Sequence, residues 1–124
     1  MTMSFRVALI GNRAHQNTYG PLWRDRKDAE IVALAEHNEE KAKGLEDLYG
    51  LPCSREYDAV LERDDIDIAC IATDFYLKWW LVPKAAACGK HILVDKSLAR
   101  TMREALAIEE ETRDTDVKIQ LSYP

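Results

Sequence analysis

A doubly wound, mainly parallel α/β sheet with helices on both faces is predicted for this 124-residue chain by three observations. Short apolar runs of strand length alternate with longer stretches of helical periodicity throughout, the order that builds a parallel sheet. The run from Ile66 to Thr73 alternates at first and then turns continuously apolar, as a central strand covered on both faces does. Phe5-Arg6-Val7-Ala8-Leu9-Ile10 ends on Gly11, which suits a buried strand running into a turn.

The remaining elements follow in order. Residues 14–26 read as helical, although Gly20-Pro21 speaks against one unbroken helix, because proline removes a donor and clashes with the preceding turn. Pro21 can instead begin a second helical segment that carries Leu22 and Trp23 inward. Glu30 to Ala35 is the second strand. Asn38 is a plausible N-cap, with Glu39 and Glu40 in the first turn of a helix whose stripe is Ala42, Leu45, Leu48 and Tyr49 and whose stop is Gly50. Leu51-Pro52-Cys53 suits a short edge strand, and residues 57–61 a short helix. Thr73-Asp74 can cap a helix running to Ala87, with Pro83 inside it. His91 to Val94 is another strand, Thr101-Met102-Arg103-Glu104 a capping box, and Val117 to Leu121 a final strand.

Composition bounds the function. A chain of this length is one domain, residues 1–124, able to bury roughly two-thirds of its unfolded surface. The 47% hydrophobic and 31% charged balance is that of a globular protein, and a net charge of −5 argues against nucleic acid as a partner. The apolar runs fall short of the ~20 residues of a membrane span, so no membrane partner is expected. Cys53, Cys70 and Cys88 form no Cys-x-x-Cys pair, and no metal site is expected. Cys70 and Cys88, in apolar and alanine-rich surroundings, read as buried thiols of a reducing cytoplasm.

Strand, glycine turn, helix, strand and then acid is the layout of a dinucleotide-binding βαβ unit, and Gly11 to Glu36 spans 25 positions. A glycine lets the backbone turn beside a pyrophosphate, the following helix offers free N–H groups, and the acid accepts from ribose hydroxyls. The glycine pattern is incomplete: Arg13 stands at its second position and Gln16 at its third. Arg13 either reaches back to pair with the pyrophosphate or fills its site, and Gln16 is expected to add bulk on the same turn.

Two later segments extend the pattern. After the fourth strand the chain reads Ile71-Ala72-Thr73-Asp74-Phe75-Tyr76-Leu77-Lys78. Around the fifth it reads Gly89-Lys90-His91-Ile92-Leu93-Val94-Asp95-Lys96-Ser97-Leu98-Ala99. Together with the glycine turn and its acid, these resemble the N-terminal domain of the glucose–fructose oxidoreductase / inositol dehydrogenase (Gfo/Idh/MocA) family, from Phe5 to the last residue. That family shows an Ala-Thr-Pro-Asn-like segment and a Gly-Lys-His-(Val/Ile)-Leu-x-Glu-Lys-Pro string at these places. Asp74 stands where proline is usual, Lys78 where histidine is common, and Asp95 and Ser97 alter the Glu-Lys-Pro triplet.

The resemblance implies a Rossmann-type fold and a nicotinamide dinucleotide as ligand. Gly11, Asn12, Arg13 and Ala14 would approach the pyrophosphate. Glu36, beside His37, would hold the adenosine ribose and favour NAD over NADP. Thr73 and Asp74 would line the nicotinamide half, with Ala72 and Asp95 in the same cofactor-binding set. Lys96, at the end of a central strand, would be the catalytic lysine. Family members continue into a second α/β domain with the substrate pocket and a catalytic histidine, to which none of His15, His37 and His91 corresponds. The chain is therefore expected to be the cofactor domain of an oxidoreductase acting on a sugar, cyclitol or related alcohol. On this resemblance the C-terminal substrate domain is expected to be missing from it, which would leave it catalytically incomplete as it stands. Self-association into a homo-oligomer through an uncovered apolar face is also expected. The alternative is a non-catalytic nucleotide-sensing or protein-binding regulatory module.

Overall fold

Four consecutive residues, Val7 to Ile10, are wholly buried, and the rest of the molecule is layered on them. A computed structural model describes residues 4–13 and 15–122, with Phe75 described in its backbone alone. The strands are β1 (Phe5–Ile10), β2 (Ala29–Ala35), β3 (Cys53–Ser54), β4 (Ile68–Ile71), β5 (His91–Asp95) and β6 (Ile119–Ser122). The helices are α1 (Gln16–Asp25), α2 (Glu39–Tyr49), α3 (Tyr57–Leu61), α4 (Phe75–Ala87) and α5 (Met102–Thr112). All pairings are parallel, in the order β3-β2-β1-β4-β5-β6. The sheet is thus wholly parallel, and the order reverses between β1 and β4. That crevice, at the carboxyl ends of the strands, is where open sheets of this kind bind ligands.

Because successive strand residues face opposite ways, β1 feeds two cores. Ala8 and Ile10 join Leu61, Leu81, Val82, Ala85 and Ile108 under α3, α4 and α5. Val7 and Leu9 join Tyr19, Leu34, Leu45 and Cys70 under α1 and α2. Full burial of a side chain such as Leu9 contributes about 1.5–3 kcal/mol.

The caps of α2 form as the sequence suggests, whereas Asp74 precedes α4 with no side-chain cap bond, so the expected Thr73-Asp74 cap is corrected. Asn38 Oδ1 accepts from Lys41 N–H, and Gly50 closes α2 at φ 67°. Thr101 Oγ1 accepts from Glu104 N–H, but the Glu104 carboxylate turns to the Arg100 N–H and guanidinium instead of completing a capping box.

Four expectations are corrected. Helix α1 runs unbroken through Gly20-Pro21. The carbonyl that Pro21 leaves without a helical donor is that of exposed Asn17, which water can satisfy. Leu22 is 62% exposed and Leu48 57% exposed, so neither belongs to an inward stripe, although Trp23 does pack on the core. Cys88 is half-buried, whereas Cys53 joins Cys70 inside. Burial pushes the Cys70 thiol up to about 12 and the Cys53 thiol to about 11, so both stay protonated at neutral pH. Among the described residues no helix is long and apolar enough to cross a membrane, and no group of His, Cys, Asp or Glu could hold a metal.

Candidate functional site

The carboxyl ends of β1, β2 and β4 meet at the turn that follows β1. Gly11 has φ 88°, a conformation that L side chains rarely adopt. A Cβ there would also lie 2.5 Å from Thr73 Cγ2 and 2.6 Å from the Ala72 carbonyl oxygen. Three successive amides of the turn have fixed partners. Gly11 N–H donates to the Ala35 carbonyl at 2.7 Å, Asn12 N–H to Glu36 Oε1 at 2.9 Å, and Arg13 N–H to the Ala72 carbonyl at 3.0 Å. The Asn12 side chain donates to the Lys41 carbonyl in the first turn of α2.

Glu36, just past β2, is only 4% exposed. Its second oxygen accepts from Asn38 N–H at 2.8 Å and lies 3.5 Å from the Tyr57 hydroxyl. Tyr57 stands edge-on to Trp80 and to His37, whose Nδ1 is 3.0 Å from the same hydroxyl. Burial, and then the Glu36 charge, raise the Tyr57 phenol above its ordinary range.

These groups enclose a cavity of about 180 Å³ that Arg13, Glu36, His37, Thr73 and Asp74 line together. Asn38, Lys41, Tyr57, Tyr76 and Leu77 complete its wall. The sequence offered little for these five: Tyr57 opens a helix after the edge strand, but nothing local shows which strand end it faces. A second cavity, of about 170 Å³, opens at the amino ends of the strands near Phe5, Asp67 and His91, away from the crevice where ligands bind.

Helix α1 starts at the crevice with no side-chain cap and no acid in its first turn, whereas Asn38, Glu39 and Glu40 occupy the start of α2. The positive end of α1 is therefore left for an anion, which fits a pyrophosphate. Gln16 does not obstruct it. Its side chain points into the sheet, 1% exposed, and Nε2 donates to the carbonyls of Gly11 and Cys70 at 3.0 Å while Cys70 Sγ donates to Oε1. The expectation of added bulk at the phosphate is thus corrected: the amide ties β1 to β4 from beneath. The Arg13 guanidinium is 2.9 Å from Asp74 Oδ1, and both side chains are partly exposed. Such a pair is worth about 0–1 kcal/mol, so the guanidinium can exchange partners cheaply.

A second cluster sits at the end of β5, beyond the cavity. Asp95, 3% exposed, lies 2.6 Å from Lys78 Nζ and 3.3 Å from His15 Nδ1. Lys78 is wholly buried, and its ammonium donates to the carbonyls of Asp95 and Ser97, both at 2.9 Å. Burial pushes the Lys78 pKa down and the Asp95 carboxylate pulls it back. Lys96 is exposed at the carboxyl end of the strand, and the Lys96–Ser97 peptide is cis. Ala72 contributes its carbonyl, with its side chain buried, and Ala14 lies outside the described residues.

An all-parallel sheet, a positive-φ glycine at its switch point, an open helix start and a buried acid after β2 together define a dinucleotide-binding Rossmann domain. The family model described as the oxidoreductase family with NAD-binding Rossmann fold (Gfo/Idh/MocA) matches residues 5–123, and the chain belongs to that family as its NAD(P)-binding domain. It is 32% identical to levoglucosan dehydrogenase of Pseudarthrobacter phenanthrenivorans, over 97% of this chain and 33% of that protein. It is 31% identical to D-apiose dehydrogenase of Paraburkholderia graminis, over 84% of this chain and 28% of that protein. Among solved structures, biliverdin reductase from Synechocystis, in complex with biliverdin and NADP+, superposes with a TM-score of 0.87 at 20% identity. That match covers 94% of this chain and 37% of the reductase. The chain thus spans about a third of the length of the curated relatives it matches.

Two expectations follow. Gln16→Met keeps the volume but removes the donor from two buried carbonyls and should cost about 1–3 kcal/mol. Urea unfolding with an unchanged slope checks this, and wild-type stability would mean the amide is dispensable. Arg13→Gly leaves the Asp74 carboxylate without its guanidinium partner at the cavity, so binding of a nicotinamide dinucleotide should weaken roughly tenfold. Titration calorimetry reads this directly, and tighter binding would identify the guanidinium as an obstruction.

Proposed function

We propose that this chain binds NAD in preference to NADP and is the cofactor domain of an oxidoreductase acting on a sugar, cyclitol or related alcohol. The observation that carries the cofactor preference is the Glu36 carboxylate, buried at the end of β2 and fixed by the Asn12 and Asn38 amides. Its Oε1, which accepts from the Asn12 amide alone, keeps a lone pair for a ribose hydroxyl, whereas a 2′-phosphate dianion would meet a desolvated negative charge. Lys41 lines the same cavity, but its ammonium can turn to water and the carboxylate cannot move. The similarity to NADP-bound biliverdin reductase is at 20% identity and bears on the fold alone.

The pyrophosphate would lie against the start of α1 and the Gly11–Arg13 turn, with the nicotinamide half toward Thr73, Asp74 and the end of β5. A nicotinamide dinucleotide supplies hydride acceptance or donation when bound. Lys96, exposed just past β5, would direct its ammonium at a carbonyl or hydroxyl oxygen and assist a proton transfer there. The substrate class rests on the two curated relatives, which are named for apiose and levoglucosan.

Calorimetric titration with NADH and NADPH should give a dissociation constant at least about tenfold lower for NADH, and Glu36→Gln should narrow the gap. Tighter NADPH binding by the parent chain would overturn the role of Glu36. The 124-residue chain by itself should not reduce NAD in the presence of sugars or polyols. Sustained NADH formation, followed at its absorbance, would show that it holds a complete active site.

A further inference from the structure

Lys78 is the largest of the fully buried side chains, an unusual place for a residue type that almost always reaches water. Nothing in its own helix calls for it. It lies one turn into α4, where a cation faces the positive end of the helix dipole, and an apolar side chain would fill the same space beside Leu81 and Val82. Its partners are what distinguish it. The two carbonyls it holds belong to Asp95 and Ser97, the residues on either side of Lys96. The carboxylate it neutralises, that of Asp95, reaches on to His15 at the start of α1.

We propose that Lys78 is a positioning residue. Its ammonium clamps the backbone on both sides of Lys96 and, through Asp95 and His15, joins that segment to the turn that takes the pyrophosphate. The exposed Lys96 side chain gains a fixed base from which to act, although its ammonium pairs with none of the described residues. The proposal rests on the reading of Lys96 and the Gly11 turn as two ends of one cofactor site, and the experiment separates the two.

The variants are Lys78→Met, which keeps an unbranched chain of similar volume, and Lys78→Met with Asp95→Asn, which leaves no buried carboxylate unpaired and so guards against unfolding. In the first measurement, 15N relaxation of the ligand-free chain gives the order of the Lys96 and Ser97 amides. These should match the strand residues in the parent and fall in the variants, while amides of β1 and β4 stay ordered. In the second, NADH is compared with ADP-ribose, which lacks the nicotinamide. The variants should lose roughly tenfold in NADH affinity and less than about twofold in ADP-ribose affinity. Unchanged amide order at Lys96 and Ser97 overturns the clamp. Equal losses for the two nucleotides reduce Lys78 to a general structural role and also overturn it. A parent chain that binds neither nucleotide refutes the cofactor reading, and the amide measurement still decides the clamp.

Discussion

Between Gly11 and Arg13 three successive backbone N–H groups go to three different places: the end of β2, the acid that follows β2, and the residue that follows β4. One short turn therefore fixes the relative heights of three strand ends. It can do so because Gly11 holds a positive φ and presents no Cβ to the Ala72 carbonyl. A side chain at Gly11 would push β4 away from β1 and open the crevice. From beneath, Gln16 holds the same two strands through the Gly11 and Cys70 carbonyls. The turn is thus determined from above and below before any ligand arrives, and pre-organisation of this kind lowers the cost of binding.

The fold was legible because its signals are periodic. A parallel sheet buried on both faces writes its strands as apolar runs, and the helices between them carry their own stops, as Gly50 does after α2. Misreadings fell where a local rule met a tertiary circumstance. Pro21 sits inside a continuous helix, as Pro83 does in α4 where a helix was expected to run through it, and each frees a carbonyl on an exposed residue, Asn17 and Trp79, where water replaces the lost donor. The proline rule assumes a carbonyl that has nowhere to go, and exposure cannot be read from the tripeptide around it. Leu22 and Leu48 failed for a related reason: hydrophobic identity does not say which side of a helix the sheet is on.

At the site, spacing located Gly11 and Glu36, since a βαβ unit of fixed length must return its second strand beside its first. Direction was not legible. A residue at the start of α1 can face the phosphate or the sheet, and what turns Gln16 downward is the Cys70 carbonyl, 54 positions later in the chain. Lys78 was visible only as a departure from the family pattern. Nothing in its neighbourhood indicates that two carbonyls and a carboxylate converge there, because those groups come from the far end of the next strand.

The two halves of the crevice are stabilised by different physics, and this bears on how they can change. On the β2 side Glu36 is held by backbone amides, so its placement follows from the main chain of the Gly11 turn and of the Asn38 cap. Replacing that carboxylate alone leaves the Asn12 and Asn38 amides without their acceptor and removes one of the three bonds that level the strand ends. On the β5 side Asp95 and Lys78 form a buried pair, and removing either alone leaves an uncompensated charge, which is strongly destabilising. That half can change only by concerted replacement. The chain thus sets an acid held by main-chain amides at one end of the crevice and a tightly coupled pair behind Lys96 at the other.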